Sequence, residues 1–393
     1  MSTLNDLLVR ADARAAQRLH NVSDARRAAR RRLPAVIFDY VDGAADDEVT
    51  MRRNEDVFAE VAFRPKMASG SVEPRLGVTV LGKEIDFPVM LAPCGLVRLL
   101  HADGPTGVAR AAASRGTISV LSTVSGSPVE VVAGESKAPL WFQLYSAAGL
   151  SEADSLCDRA AAAGIDVLMV TVDTPTLGNR ERDVRHGVAP PLRVDTHNAV
   201  PLGLQVLARP RWAAQLAATG VRLSRKETGP AGQGSGLLSS VASPFSWDDL
   251  AHLRNRWQGQ FVVKGVLSGA DARRAVDSGA DAVVVSNHGG RQLDGAPATL
   301  HVLPGVVAAV GGDVEVLIDG GIRRGSHVVA ALALGARAVL IGRPYLFGLA
   351  SAGERGVERI LDILRAEMRR TMVLMGCPSV DQLSPDWLEV PGT

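Results

Sequence analysis

The stretch QFVVKGVLSGADARRAVDSGADAVVVSNH (260–288) decides the fold. Its two ends, QFVVKGV (260–266) and DAVVVSNH (281–288), are short valine-rich runs, apolar on both faces. That is how strands of a buried parallel sheet read. Between them, GADARRAVDSGA (269–280) is an alanine-rich amphipathic segment closing on glycine, as a helix C-terminus prefers. The same strand–helix rhythm runs outward in both directions. Further strand candidates are FPVMLAP (87–93), TISVLST (117–123), LWFQLY (140–145), DVLMVTVD (166–173), VEVLIDGG (314–321) and AVLIGRP (338–344). Segments such as TGVARAAASRG (106–116) and EADSLCDRAAAAG (152–164) supply helices between them. Strands and helices in this alternation predict an α/β fold, a (β/α)8 TIM barrel, over an open doubly wound sheet. No G-x-G-x-x-G follows the first strand, which argues against a dinucleotide-binding Rossmann domain.

Around this barrel the chain divides into three parts. Residues 1–86 read as an N-terminal helical extension, 87–376 as the barrel, and 377–393 as a C-terminal tail, all in one domain. The first 35 residues suggest one or two polar helices ending near Leu33-Pro34, with RRAARRR (26–32) as a solvated basic face. One interval breaks the rhythm: about 70 residues separate strand four from the next helix, SWDDLAHLRNRW (246–257). This long loop after strand four, the insertion at 186–243, carries LGLQVLARPRWAAQL (202–216) and GPAGQGSGLLSS (229–240). Its place at the C-terminal mouth of the barrel suggests a lid or a membrane contact.

Composition bounds the class. At 46% hydrophobic and 22% charged residues the chain can build a core, and 43 basic against 42 acidic residues leave no basic excess for nucleic acid. Three cysteines without a C-x-x-C pair give neither a disulfide framework nor a metal site, as expected for a reducing compartment. The N-terminus has no apolar signal core, and the most apolar long stretch (328–342) is broken by Gly335 and Arg337. A cytoplasmic protein without a spanning helix is therefore expected.

Polar residues gather where the predicted strands end. They are Ser122 and Thr123; Gln143 and Tyr145; Thr171 and Asp173; Lys264; Asn287, His288 and Arg291; Asp319 and Arg323; and Arg343. Left unpaired inside a barrel, each would cost roughly 1–3 kcal/mol, so a ring of them at one end marks a site. SNHGGRQLDG (286–295) sets a proton acceptor and a guanidinium three residues apart beside two glycines. DGGIRRG (319–325) and LIGRP (340–344) add amides and arginines where such barrels hold phosphate. By contrast, His101, His186 and His252 read as structural or solvent-facing, Cys94 as a small packing residue, and Trp247 and Trp257 as anchors of the helix at 246–257.

With these motifs in place, the chain resembles the FMN-dependent L-2-hydroxy-acid oxidising enzymes. That family includes glycolate oxidase, lactate oxidase, lactate monooxygenase, mandelate dehydrogenase and quinone-linked lactate dehydrogenases. The resemblance runs from LPAVIFDYVDGAADDE (33–48) to MGCPSVDQLSPDWL (375–388), through LAPCG (91–95), LSTVS (121–125), WFQLY (141–145), TVDTPTLGNRERD (171–183), VVKGV (262–266) and SNHGGRQLDG. It implies FMN as cofactor and His288 as catalytic base, with Asp173 pairing to its far nitrogen. Arg180 and Arg291 would clamp the substrate carboxylate, with Tyr40 and Tyr145 completing the pocket. Lys264 would sit at the flavin N1/C2 carbonyl edge, and Pro93, Cys94 and Gly95 would run past N5. Ser122, Gln143 and Thr171 would bond the ring or ribityl groups, while Asp319, Gly321, Arg323, Gly342 and Arg343 would hold the ribityl chain and phosphate.

Departures from the family pattern refine this. Val124 stands where glycolate oxidases carry Trp, which widens the pocket for bulky or aromatic 2-hydroxy acids. Gly95 stands where many oxidases have Ala, and LARPRW (207–212) looks like the matching stretch of membrane-associated mandelate and lactate dehydrogenases. These features favour a dehydrogenase feeding a quinone or protein acceptor over an O2-using oxidase or monooxygenase. The resemblance also implies a homotetramer, in peripheral contact with the inner face of a membrane. An FMN-binding barrel isomerase, such as isopentenyl diphosphate isomerase, would not need the Tyr40, Tyr145, Arg180, His288, Arg291 set. A non-catalytic flavin-binding subunit would show a degraded base or clamp, and neither is degraded.

Overall fold

The computed structural model describes residues 2–70, 73–146, 148–186, 199–218, 242 and 244–389. Eight parallel strands close into a barrel in chain order: β1 (Val89–Leu91), β2 (Ser119–Ser122), β3 (Leu140–Leu144), β4 (Val167–Thr171), β5 (Gln260–Val266), β6 (Ala282–Val285), β7 (Glu315–Ile318) and β8 (Ala338–Ile341). Almost every residue in them is buried, the two-sided burial that their unbroken apolar runs predict. The barrel is thus a (β/α)8 TIM barrel, as the sequence indicates.

Several strands stop short of their apolar runs. After β6, Ser286–His288 leave the ladder, and after β7 so do Asp319–Gly321; His288, Gly320 and Gly321 have φ of 58°, 98° and 73°. The polar ends of these runs are therefore loops at the barrel mouth, not strand residues. In β5 the register shifts between Lys264 and Val266, where Gly265 has φ 110°. A Cβ on Gly265 would lie 2.8 Å from the Cβ of Asp173, so the missing side chain lets β5 bulge beside that carboxylate.

The N-terminal extension comprises α1 (Ser2–Gln17), α2 (Val22–Arg32), α3 (Ala35–Asp42) and α4 (Val49–Asp56). Asn21 caps α2 by accepting from the Asp24 amide at 2.8 Å, and the helix buries Val22, Ala25 and Ala29 against the C-terminal helix. Its basic run is only partly a solvated face. Arg26, Arg27, Arg30 and Arg31 are exposed, though Arg26 also bonds Asp42 at 2.8 Å, whereas Arg32 turns inward to Asp12 and the Ser351 carbonyl at 3.0 and 2.9 Å.

Helices α5 (Gly104–Ser114), α6 (Val129–Glu135) and α7 (Leu150–Ala162) follow β1, β2 and β3. After β4 come α8 (Glu181–Arg185), α9 (Ala199–Leu207) and α10 (Pro210–Ala218). The expected long loop is therefore partly helical. Pro210 opens α10, and Trp212 and Gln215 bury one face of it. Residues 187–198 and 219–241, with the Gly/Ser-rich stretch, lie outside the described residues.

The ring is completed by α11 (Trp247–Arg256), α12 (Gly269–Asp277), α13 (Thr299–Val310), α14 (Gly325–Ala333) and α15 (Arg343–Met375). Ser246 starts α11 with a reciprocal capping box to Asp249. Trp257 is buried and Trp247 packs beside the core under Arg274, as their anchoring reading requires. Among the described residues no helix is long and apolar enough to cross a membrane.

Candidate active site

A cleft of about 990 Å³, counted to its open mouth, sits over the C-terminal ends of the strands. His288 reaches it from the β6 loop, where the backbone stays left-handed through Gly289 and Gly290, at φ 64° and 76°. For a non-glycine residue this conformation costs about 1 kcal/mol or more, strain of the kind that collects at functional sites. The Nδ1 of His288 lies 3.1 Å from Asp173 Oδ1, and Nε2 lies 3.2 Å from the Tyr145 hydroxyl. A carboxylate at Nδ1 fixes the proton there, so Nε2 accepts from Tyr145 and presents the basic lone pair.

The charge states suit a proton acceptor. Burial holds His288 below its ordinary value, against the pull of Asp173, so the ring is neutral near pH 7. Burial pushes Asp173 upward, but the charge and hydrogen bond of His288 and the charge of Lys264 outweigh it, and the carboxyl titrates low. Burial, with the nearby Asp173, drives Tyr145 well above its usual range. Burial also raises Tyr40, so both phenols remain donors.

Two guanidinium groups face this corner. Arg180 is buried and among the described residues makes only long bonds, to the Arg291 carbonyl at 3.5 Å and Gln292 Oε1 at 3.4 Å. Burial and then the charge of Arg291 lower it to about 10. Arg291 donates to the carbonyls of Tyr40 and Gly43 at 2.6 and 2.9 Å, with its guanidinium 5.0 Å from the centre of the Tyr40 ring. Among the described residues neither arginine forms an ion pair with a carboxylate. Two cations with no carboxylate of the described residues at ion-pair distance make a receptor for a small carboxylate.

At the other end of the cleft the cations are held differently. Arg343 donates to the carbonyls of Val41, Gly289 and Gly43 at 3.1, 2.9 and 2.7 Å. Burial, with Arg291 and Arg323 nearby, lowers it to about 9. Arg323 pairs with Glu55 at 2.7 Å and also lines the cleft. On the floor, Lys264 bonds Ser286 Oγ at 2.6 Å and Asp319 Oδ2 at 2.7 Å. Burial lowers Lys264, but Asp319 and Asp173 outweigh it and keep it charged. The other Asp319 oxygen, Oδ1, is buried with no hydrogen-bond partner among the described residues.

Gly321 has to be glycine here, since a Cβ would overlap the Asn54 carbonyl oxygen at 1.7 Å. Pro93, Cys94, Gly95, Ser122, Gly321 and Gly342 all line the cleft. Burial raises the Cys94 thiol, which keeps it protonated, in keeping with a packing role. Gln143 and Thr171 stand behind the wall. Ser122 Oγ donates to Gln143 Oε1 at 2.8 Å, and Gln143 Nε2 donates to Thr171 Oγ1 at 3.0 Å. Asp173 likewise acts on the cleft from behind, through His288.

These residues meet the needs of a flavin mononucleotide. Its phosphate asks for cations and amides, which Arg323, Arg343 and Gly321 offer; its ribityl hydroxyls ask for a buried acceptor, which Asp319 Oδ1 is. Lys264 supplies a fixed positive charge for the ring.

Some contributors were not assigned from the sequence. Ser286 Oγ accepts from both Lys264 Nζ and the His288 amide, at 2.6 and 3.1 Å, tying the floor cation to the strained histidine. It lies inside SNHGGRQLDG, where only its neighbours were given roles. Asn54 and Asn287 exchange side-chain hydrogen bonds at 2.8 and 2.9 Å and clasp α4 to the β6 loop. Of the histidines set aside, His101 is buried beside Asp12 and Asp103, His186 contacts Asp39 and His252 contacts Asp154, all away from the cleft.

Barrel, arginine pair and cation-lined cleft together define a barrel protein fitted to a phosphate-bearing cofactor and a small anion. Comparison with known proteins agrees. The family model for FMN-dependent dehydrogenases matches residues 29–390. An L-lactate dehydrogenase of Pectobacterium atrosepticum is 41% identical over 374 residues, covering 93% of this chain and 96% of that protein. A putative L-lactate dehydrogenase of Mycobacterium tuberculosis is 40% identical over 366 residues, covering 93% and 87%. A crystal structure of the monotopic membrane protein (S)-mandelate dehydrogenase superposes with a TM-score of 0.87 at 38% identity, covering 95% of this chain and 100% of that one. The chain belongs to the FMN-dependent dehydrogenase family, and its cofactor is FMN.

Proposed function

We propose that the protein oxidises an (S)-2-hydroxy acid of the lactate or mandelate kind to the 2-oxo acid. The observation that carries this reading is the partly buried, neutral His288, backed by Asp173 at 3.1 Å and sharing the cleft with the Arg180 and Arg291 guanidiniums. Arg180 and Arg291 hold the substrate carboxylate, Tyr40 and Tyr145 donate to its oxygens, and His288 Nε2 takes the proton of the hydroxyl group. Asp173 then stabilises the imidazolium that forms. FMN, when bound, accepts the two electrons that leave the substrate carbon. Lys264, Arg323 and Arg343 would hold that cofactor by its charges, and Asp319 would accept from its ribityl hydroxyls. Val124, a small side chain on the cleft wall, leaves room beside the reacting corner for a bulky side chain.

The electron acceptor is a membrane quinone or a membrane-bound carrier rather than O2. This reading is supported by α9, on which Val200, Leu204 and Leu207 are 68%, 62% and 77% exposed at helical spacing, and by the membrane association of the mandelate dehydrogenase neighbour. Anaerobic bleaching of the flavin by a panel of (S)-2-hydroxy acids tests the reaction. Reoxidation by a quinone far faster than by air is expected; fast reoxidation in air with stoichiometric peroxide would replace the dehydrogenase by an oxidase.

A further inference from the structure

Behind the Arg323 end of the cleft stands a histidine that the proposed reaction does not use. His327 lies in the first turn of α14, just after GIRRG (321–325), and is not among the residues that line the cleft. Its Nδ1 accepts from the Arg323 amide at 3.3 Å and lies 3.4 Å from the Gly321 carbonyl oxygen. The imidazole therefore closes the turn from Gly321 to Arg323, whose other side faces the cleft. Burial, with the charges of Arg323 and Arg324, outweighs the Gly321 carbonyl and lowers His327 to about 4. Near pH 7 the ring is neutral, and Nδ1 is able to accept.

The ring is itself held. It stacks on Phe58 with centroids 4.2 Å apart and planes 7° from parallel. Phe58 is buried and belongs to Val57–Glu60, the tight turn that continues α4. A Cβ on Gly321 would come 3.1 Å from Phe58 Cε2, so one phenyl ring lies against both the histidine and the turn it closes. Glu55, from the same segment, pairs with Arg323 at 2.7 Å. The ends of the loop are tied separately. Thr299 Oγ1 donates to the Asp319 carbonyl at 2.6 Å, and Glu367 accepts from the Gly325 amide at 2.8 Å. Between these ties Gly320 and Gly321, at φ 98° and 73°, leave the backbone many conformations to choose from. Contacts from outside the loop have to select one.

We propose that His327, steadied by Phe58, is a positioning residue for the phosphate of FMN: its Nδ1 sets the Gly321–Arg323 turn in the shape that receives the dianion. It thereby sets how strongly the site prefers FMN to riboflavin, the same flavin without the phosphate. The inference rests on the reading that this end of the cleft holds the phosphate. Loss of the acceptor leaves the Arg323 amide without its His327 bond and lets the turn relax, so part of the preorganisation for phosphate is lost. The floor of the cleft at Lys264 is not altered.

The test titrates the apoproteins of His327→Phe, His327→Ala and His327→Asn with FMN and with riboflavin, following the quenching of flavin fluorescence. Phe keeps the stack on Phe58 and removes the acceptor; it is expected to weaken FMN by about tenfold and riboflavin by less than about twofold. Ala removes the stack as well and is expected to weaken FMN at least as much, with riboflavin again within about twofold. Asn offers a carbonyl oxygen near the place of Nδ1 and is expected to restore FMN to within about threefold of the unmodified protein. FMN affinity unmoved in Phe and Ala, FMN and riboflavin falling together, or Asn no better than Ala would overturn the proposal. Should the Phe variant not fold, the Ala and Asn ratios decide. Arg343→Met separates the proposal from the reading beneath it. If that variant leaves the ratio of FMN to riboflavin affinity unchanged, the phosphate is not held at this end, and both fail. If it lowers the ratio while the His327 variants do not, the role of His327 alone fails.

Discussion

The two ends of the cleft use the same side chain in different ways. Arg343 and Arg180 are both lowered by desolvation, to about 9 and about 10, and neither forms an ion pair among the described residues. Yet Arg343 is fastened by three carbonyl oxygens within 3.1 Å, while among the described residues Arg180 makes two bonds of 3.4 to 3.5 Å. The fastened guanidinium is turned to backbone carbonyls; the loosely held one faces His288, Tyr40 and Tyr145. A resident anion needs a rigid, permanently charged seat. A substrate that arrives and leaves each turnover needs a cation free to close on it and a base that changes charge beside it.

That contrast can be broken by mutation. The largest effect is expected for His288→Ala, which should lower turnover by at least about a thousandfold while the purified protein keeps its flavin spectrum. Next, Arg343→Met should weaken FMN binding by about a hundredfold, or ~3 kcal/mol, read by flavin titration of the apoprotein. Arg180→Met should raise KM for the hydroxy acid by roughly tenfold to thirtyfold and leave FMN affinity within about twofold. If Arg180→Met released FMN, or Arg343→Met changed only KM, the division between resident and transient anion would fail. The smallest effect concerns Gly95, where a Cβ would come 3.0 Å from the Tyr40 hydroxyl and 3.1 Å from Val124 Cγ2. Gly95→Ala should cost about 1 kcal/mol in kcat/KM, roughly fivefold, by crowding Tyr40.

The barrel was legible because its strands are buried on both faces, so each reads as an unbroken apolar run that local pattern exposes. The insertion was harder. Segment 202–216 reads as apolar around one proline, and nothing local shows that Trp212 reaches the Leu99 carbonyl or that Gln215 reaches His101 and Arg32. The same limit hid the structural use of Arg26 and Arg32 in a run that looks like a solvated face. At the site, His288, Asp173 and the arginines were visible as polar interruptions at strand ends. Ser286 and the Asn54–Asn287 clasp were not, because their roles depend on partners brought together only by closure of the barrel.

The proposed reaction turns on a partly buried, neutral His288 that takes the substrate's proton beside Arg180 and Arg291. Its most direct test is the anaerobic rate of flavin reduction by a saturating (S)-2-hydroxy acid, followed from pH 4 to pH 10 in the protein and in His288→Ala. Because burial holds His288 below its ordinary value, its neutral form is lost only in acid. The rate should rise with pH through a midpoint below about 6.5 and then stay level. In His288→Ala that rising limb should vanish along with most of the rate. A pH-independent rate in the unmodified protein, or reduction of His288→Ala at the unmodified rate, would contradict it.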